Sequence, residues 1–165
     1  MFDRIIRFLW PAIGAFAAVL LLFLFENTTG LALLMAPFGA SCVIVFALPD
    51  SPLAKPRNVI GGHFISTLTG LVFLHAFGHH AWTLAAAASL SIVFMQLTKT
   101  LHPPAGADPL VVILSGADWS FLVTPVLAGS LLLVGLSAVY RLFQRLSQDQ
   151  QAKARVVPNK GVKPQ

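Results

Sequence analysis

The sequence predicts an all-α polytopic membrane helix bundle with about six membrane segments, and three observations predict it. Hydrophobic residues make up 56% of the 165 residues and charged residues only 10%, whereas a soluble domain averages about 25% charged residues. The apolar residues form uncharged runs of roughly the 20 residues that a membrane-spanning helix needs. The basic residues stand at the ends of these runs, as in the positive-inside pattern.

Each segment follows from one of these runs. The first follows Arg4 and Arg7, which would also suit the basic flank of a signal peptide, but the run is long and Glu26-Asn27-Thr28 is a poor cleavage site. We therefore interpret it as a retained span. The stretch Asn58–Gln96 holds two segments with a turn at Gly78-His79-His80. The predicted segments are Phe8–Phe25, Leu31–Leu48, Val59–Phe77, Ala81–Leu97, Thr98–Ser115 and Phe121–Phe143.

Six crossings would place all basic loop residues on one side of the membrane, together with the N-terminus. This pattern predicts an integral protein of the bacterial inner (plasma) membrane with both termini in the cytoplasm. The second segment is broken at Pro37–Gly39 and the fifth at Pro103–Pro109. A rival arrangement makes both broken segments re-entrant and leaves four crossings.

A weak internal repeat relates the two broken segments. Pro37-Phe38-Gly39-Ala40 aligns with Pro104-Ala105-Gly106-Ala107, and the same alignment places Gly62 over Gly129. Three crossings in each half would give the halves opposite orientations, which is the inverted 3+3 repeat of many transporters. With four crossings the two halves would be parallel.

The chain divides into a membrane domain, residues 1–146, and a polar basic tail, residues 147–165, which we expect to be disordered and cytoplasmic. The single cysteine, Cys42, excludes an internal disulfide bond. The net charge of +5 fits membrane orientation rather than nucleic-acid binding, so we expect the lipid bilayer as a partner and no nucleic acid.

The two breaks form the candidate site. Ser41 after the first break and Asp108 before Pro109 in the second resemble helix N-caps. The half-helices Val43–Leu48 and Leu110–Ser115 would then direct their positive N-terminal ends at the membrane interior, where they would bind an anion. The predicted substrate-binding residues are Gly39, Ala40, Ser41, His102, Gly106, Ala107 and Asp108.

Several of these residues have two interpretations. Asp108 would cap a helix, bind a coupling cation or proton, or lie near the water boundary. His102 would donate to an anion, relay a proton, or bond a carbonyl freed by the break. The two glycines would admit a ligand or permit tight helix crossing. A possible inner mouth comprises Lys55, Arg57, Asn58 and His63, while the histidines of the outer turn are too weak a pattern to predict a metal site.

These motifs resemble the HPP family of integral membrane proteins, whose His-Pro-Pro triplet is His102-Pro103-Pro104 here. The matching blocks are Ala36–Ser41, Pro49–Asn58, Gly61–His63 and Leu101–Pro109. The family is usually described as having four transmembrane helices, and chloroplast and cyanobacterial members are linked to nitrite transport. The resemblance therefore implies an anion substrate. Some relatives carry a C-terminal nucleotide-binding module that has no counterpart in this sequence.

The leading functional hypothesis is a transporter or channel for a small inorganic anion, nitrite first, bound at the paired helix N-termini. The alternatives are an intramembrane metal- or cofactor-binding sensor and a structural subunit of a membrane complex. We expect no enzymatic activity and no cofactor. The small residues of the segment Ala81–Ser91 favour close helix contacts and lead us to expect a homo-oligomer.

Overall fold

The structure, a computed structural model, describes residues 2–156 and shows an all-helical bundle, with 84% of the chain in helices and no strand in the described part. Six α-helices follow one another, and short 3₁₀ and π-helical turns join some of them. They are α1 (Phe2–Thr29), α2 (Ala36–Cys42), α3 (Pro56–Phe77), α4 (Ala81–Leu97), α5 (Asp108–Ser115) and α6 (Ala128–Val156).

The ends of these helices follow from local sequence. Pro56 occupies the first turn of α3, where its missing N–H and fixed φ are favourable. Gly78 ends α3 at φ +75° and Gly116 ends α5 at φ +64°, a left-handed geometry that glycine adopts without steric cost. His80 and Thr83 form a reciprocal cap at the start of α4, which satisfies amides that the helix leaves free.

The first break lies earlier than the sequence predicts. Residues 30–35 are non-helical, and the Glu26 carboxylate accepts the amides of Leu33 and Leu34 at 3.1 and 3.0 Å. Helix α2 then begins at Ala36 and continues into the π-helical turn Val43–Ala47. The predicted half-helix beginning at residue 43 is therefore wrong. Pro37 starts the helix instead of breaking it, because proline is tolerated in a first turn.

The second break is a non-helical stretch, Thr100–His102, followed by a 3₁₀ turn at Pro103–Ala107 that leads into α5. This segment runs along the whole of α3. Near the start of α3, the Asn58 amide donates to the Leu101 carbonyl at 2.8 Å. Near its end, His75 stacks on Trp119 beyond α5, with ring centroids 5.0 Å apart. The fifth segment is therefore as long as its neighbour and does not turn back halfway.

The first two segments run in opposite directions, as the six-crossing interpretation requires. Glu26 near the end of α1 bonds Leu33, whereas Gly14 near its start meets Phe46, so α1 and the second segment are antiparallel. Trp10 and Tyr140 approach each other with ring centroids 6.1 Å apart. The start of α1 therefore lies beside the later part of α6.

Two close contacts reveal the internal repeat in three dimensions. A methyl group built on Gly62 would lie 2.9 Å from the Thr100 carbonyl oxygen, and one on Gly129 would lie 2.5 Å from the Leu33 carbonyl oxygen. Gly62 aligns with Gly129, and Leu33 aligns with Thr100 under the same repeat. In each half, the glycine at the equivalent position therefore contacts a carbonyl of the non-helical stretch in the other half. This reciprocity supports the inverted repeat.

The distribution of polarity is that of a membrane protein. Three helical spans are long and apolar enough to cross a membrane, namely Phe8–Thr29, Pro56–Phe77 and Trp119–Ser147. Large apolar side chains are exposed on the outside, including Phe8 at 76% and Phe16 at 70%, which suits contact with lipid. The apolar core between α1, α2 and α6 contains Leu22, Phe38, Phe46, Val126 and Leu133 among others.

The contacts of α4 remove one argument for a homo-oligomer, and the length of α6 corrects one prediction. The small-residue stripe of α4, at Thr83, Ala87 and Ser91, is buried within the chain, and α4 packs extensively on α3. It therefore supplies no argument for a homo-oligomer. Helix α6 continues to Val156, so residues 147–156 are helical where the sequence predicts disorder, because an apolar helix propagates into the good helix formers of the tail. Residues 157–165 of the predicted tail lie outside the described residues.

Candidate functional site

Four side chains that have no exposed surface meet where the two breaks approach each other. They are Ser41 of α2, His63 of α3, His102 of the second break and Asp108 of α5, and we name them the buried cluster. A histidine or carboxylate inside a membrane bundle is costly and is usually kept for ion or proton pathways. This cluster is therefore the main candidate for function.

Ser41 connects the two histidines. Its Oγ lies 2.8 Å from His63 Nε2 and 2.9 Å from His102 Nε2. It also lies 3.3 Å from the Pro37 carbonyl one turn earlier in α2. His102 Nδ1 lies 3.0 Å from the Leu53 carbonyl, in the loop before α3. One hydroxyl thus links α2, α3 and the second break.

Asp108 completes the cluster from the other side. Its Oδ2 lies 2.8 Å from His63 Nδ1 and accepts from Thr67 Oγ1 at 3.3 Å. Its Oδ1 is buried and has no hydrogen-bond partner. An unpaired buried carboxylate oxygen is unfavourable, so this atom marks the open end of the hydrogen-bonded chain.

Neither predicted N-cap is a cap. Ser41 lies inside α2, one turn past the residues at its start, and makes no cap hydrogen bond. Asp108 has helical dihedrals, and Ala107 occupies the N-cap position of α5. Both side chains turn inward and bond the two nitrogens of His63. The helix N-termini that follow the breaks lie at Ala36 and Asp108 rather than at residues 43 and 110.

Helix α3 positions the cluster with one face. Gly62, His63, Ser66, Thr67 and Gly70 recur at the spacing of a single helix face and are all buried. Ser66 Oγ donates to the Ala105 carbonyl at 2.6 Å, which satisfies a carbonyl that the 3₁₀ turn leaves free. The glycines let the backbone of the fifth segment approach, since a methyl group on Gly70 would lie 2.7 Å from Pro109 Cα.

The cluster lies deep in the bundle. Thr67, which bonds Asp108, is about 16 Å from the start of α3 and about 15 Å from its end at 1.5 Å per residue. The chain of hydrogen bonds begins at Leu53, before the start of α3, and ends at Asp108. Phe38 closes one side by presenting its ring edge-on to His63, with centroids 5.1 Å apart.

Not all predicted substrate-binding residues join the cluster. Ser41, His102 and Asp108 do, whereas Gly39 and Ala40 lie on the exposed side of α2. Gly39 lines a groove of about 450 Å³ with apolar residues of α1, nearly opposite to Ser41 at 100° per residue. Gly106 is half-buried and Ala107 exposed, with open space around Gly106. The structure thus separates the glycines from the polar groups.

The predicted inner mouth also divides. His63 belongs to the buried cluster. The sequence analysis named this residue but did not predict its contacts with Ser41 and Asp108. Asn58 and Arg57 donate to the Leu101 and Thr98 carbonyls at 2.8 and 2.7 Å, so they satisfy the backbone of the second break. Lys55 is exposed. The polar stripe of α3 was the available signal for His63, because its small polar residues recur every three or four positions.

The cluster contains a Ser–His–Asp arrangement like that of hydrolases, in which aspartate orients a histidine that activates serine. Here Ser41 has no exposed surface and bonds a second histidine. Ser41 lines neither the groove beside α1 nor the groove between α1 and α6. Residues 2–156 also contain no group of three His, Cys, Asp or Glu side chains placed to hold a metal ion.

The bundle and its buried cluster define an integral membrane protein of broken helices with ionisable groups in its interior. The family model described as the HPP transmembrane region matches residues 3–151, and the chain belongs to this family.

Two transmembrane proteins of Dictyostelium discoideum are similar to it. One is 36% identical over 148 residues, covering 82% of this chain and 52% of the relative, and the other is 34% identical over 150 residues, covering 82% and 48%. The chain therefore spans about half the length of these curated relatives. No solved structure gives a significant match.

Proposed function

We propose that the protein transports a small inorganic monovalent anion across the membrane, with nitrite as the first candidate. The observation that carries this proposal is the buried cluster, which joins both breaks deep inside a bundle with an apolar outer surface. Ionisable side chains at such a depth indicate a pathway for ions or protons. A purely structural subunit would have no need of two buried histidines and a carboxylate.

The arrangement of the halves supports transport. Ser41 comes from the first half, and His102 and Asp108 come from the second, so the cluster lies at the interface of the two repeats. Transporters with inverted repeats place their sites at this interface and move one repeat against the other. The π-helical turns that follow α2 and precede α6 fit such movement, since π-bulges often mark functional sites.

The anionic substrate rests on two arguments. The family resemblance points to nitrite, and the basic residues gather at one end of the bundle, where Lys55 is exposed. Positive charge at a mouth raises the local concentration of anions. The hydroxyl and imidazole groups of the buried cluster then offer hydrogen-bond donors to an anion. We also propose a bacterial inner-membrane location with cytoplasmic termini, from the placement of the basic residues.

Exchange of labelled anion tests this function directly. Proteoliposomes that contain only this protein are loaded with unlabelled nitrite, nitrate, chloride or bicarbonate and placed in the labelled form of the same anion. We expect exchange of at least one anion far above the rate of protein-free vesicles, which measure passage of undissociated acid. No exchange of any anion in correctly inserted protein would contradict the proposal.

A hydrolase is the second candidate, because the Ser41–His63–Asp108 geometry favours it. We propose that the protein is not an enzyme, since Ser41 is enclosed and its hydroxyl is held between two histidines. A fluorophosphonate probe labels accessible activated serines. We expect no labelling of the wild-type protein in membranes, with Ser41→Ala as the control. Labelling that disappears in Ser41→Ala would favour the hydrolase.

A further inference from the structure

The buried cluster can be satisfied only with a definite number of protons. The Leu53 carbonyl accepts and cannot donate, so His102 Nδ1 carries a proton. Ser41 Oγ has a single proton, yet it lies 2.8 and 2.9 Å from the Nε2 atoms of His63 and His102. Two such contacts need two protons. At least one of the two Nε2 atoms is therefore protonated.

The 2.8 Å contact between His63 Nδ1 and Asp108 Oδ2 needs a further proton, and three placements with zero net charge meet both requirements. In the first, His102 is an imidazolium and Asp108 a carboxylate. In the second, His63 is the imidazolium and Asp108 the carboxylate. In the third, Asp108 is a neutral acid that donates to His63 Nδ1, and His63 Nε2 donates to Ser41. All three carry one proton more than two neutral histidines and an ionised aspartate, so the buried cluster has zero net charge in each.

Burial leads independently to the same result. All four side chains have no exposed surface, and an uncompensated charge there would be expensive. Of the elements packed around the cluster, α2 brings the thiol of Cys42, which belongs to the apolar core, and α3 brings hydroxyl groups. In residues 2–156, the His63–Asp108 contact is the one ion pair found. Among the described side chains, no lysine or arginine lies within 4 Å of an Asp108 oxygen.

We propose that the buried cluster is the carrier of a proton that moves together with the anion. This inference rests on the proposed transport function and names its coupling ion. The three placements differ only by hops along the hydrogen bonds from Asp108 through His63 and Ser41 to His102. The cluster takes one proton from water on one side and releases it on the other, and one anion accompanies it. Each cycle is therefore electrically neutral.

The unpaired Asp108 Oδ1 supports this role. It is buried, bonds no protein group, and stands at the end of the chain opposite to Leu53. A protonation site at this end gives the chain an acceptor on which a proton arrives or from which it leaves. Protonation also removes the negative charge that would otherwise repel an anion near the cluster. Binding of the proton and of the anion would thus favour each other.

The substitution Asp108→Asn imitates the protonated state permanently. The amide nitrogen donates to His63 Nδ1 and to Thr67 Oγ1, and His63 Nε2 donates to Ser41, so each contact keeps a proton at zero charge. The nearly equal size of the two side chains preserves packing. This variant should therefore fold, but it has no proton to release. Asp118→Asn, in the exposed turn between α5 and α6, is the matched control.

The proton count is measured by nitrogen-15 NMR of the imidazole rings, which distinguishes protonated from bare nitrogens, together with the carbon-13 shift of the Asp108 carboxyl group, which distinguishes the neutral acid from the carboxylate. A His75→Gln, His79→Gln, His80→Gln variant retains only His63 and His102 of the five histidines. At neutral pH we expect at least one protonated Nε2 in this protein. Two neutral rings that both have bare Nε2 atoms would overturn the inference, whatever the transport assays show.

Coupling is measured by uptake driven by a pH gradient. With the vesicle interior one unit more alkaline, an electroneutral proton–anion carrier concentrates the anion up to about tenfold. We expect such accumulation for wild type and Asp118→Asn, and a ratio of about one for the folded and inserted Asp108→Asn protein. Wild-type protein that exchanges anion but does not accumulate it under the pH gradient would overturn the proton coupling alone. Absence of all exchange would instead contradict the proposed function, and the NMR count would still decide the proton content.

Discussion

Replacing Ser41 with alanine tests the architecture of the buried cluster through stability. The change removes the oxygen that lies within 2.9 Å of two imidazole nitrogens and leaves both without this partner. A buried polar group that loses its partner costs about 1–3 kcal/mol, so two such groups predict a loss of about 2–6 kcal/mol. The missing oxygen itself leaves little space, since serine and alanine differ by one atom.

Ser91→Ala is the matched control. Ser91 is equally buried, but its hydroxyl bonds only the Ala88 carbonyl of its own helix at 2.8 Å. Loss of the Ser91 hydroxyl leaves the Ala88 carbonyl, which belongs to the backbone hydrogen bonding of α4. We therefore expect a stability loss of about 1 kcal/mol or less. The free energy of unfolding in mixed micelles, followed by circular dichroism as denaturing detergent increases, gives both values. Equal losses in the two variants would refute the bridging role of Ser41.

Further predictions concern packing, pH and assembly. Gly62→Ala should lower thermal stability by about 1–3 kcal/mol, because the new methyl would lie 2.7 Å from His102 Cβ, while Gly106→Ala, which meets nothing within 4 Å, should leave the melting temperature unchanged. Hydrogen bonds from the Ser120 hydroxyl and amide lower the pKa of Asp118. Its carboxylate therefore stabilises the turn between α5 and α6 at neutral pH, and this contribution disappears as the pH falls through the lowered pKa. An NMR titration midpoint above the usual aspartate range would contradict this prediction. The homo-oligomer stays a prediction, and light scattering in mild detergent that finds one chain per particle would exclude it.

Much of the fold could be predicted from the sequence, because lipid imposes strong and simple constraints. The lengths of the uncharged runs predict the lengths of the segments. The positions of the basic residues predict that successive segments run in opposite directions. The repeat was detectable because Pro37 and Gly39 align with Pro104 and Gly106. The structure adds that the aligned glycines Gly62 and Gly129 receive equivalent carbonyls of the opposite half.

The candidate site was predicted only in part. Proline patterns identified the neighbourhood of Ser41 and Asp108, but local rules assigned them to helix caps. Tertiary contacts decided otherwise, because His63 offers each a buried partner at 2.8 Å. No local pattern reveals that a histidine on α3 reaches both breaks. Likewise, Gly39 has the same sequence context as Ser41 but faces an apolar groove, since two residues on a helix turn through about 200°.

The comparison of His102→Gln with His79→Gln tests the central claim most directly. Both variants remove one imidazole, but His102 is fully buried in the cluster and His79 is exposed in the outer turn. The measurement is labelled-anion exchange in proteoliposomes that contain equal amounts of inserted protein. We expect exchange to fall at least tenfold in His102→Gln and to stay at the wild-type rate in His79→Gln. Wild-type exchange in both variants would show that the buried cluster does not serve transport.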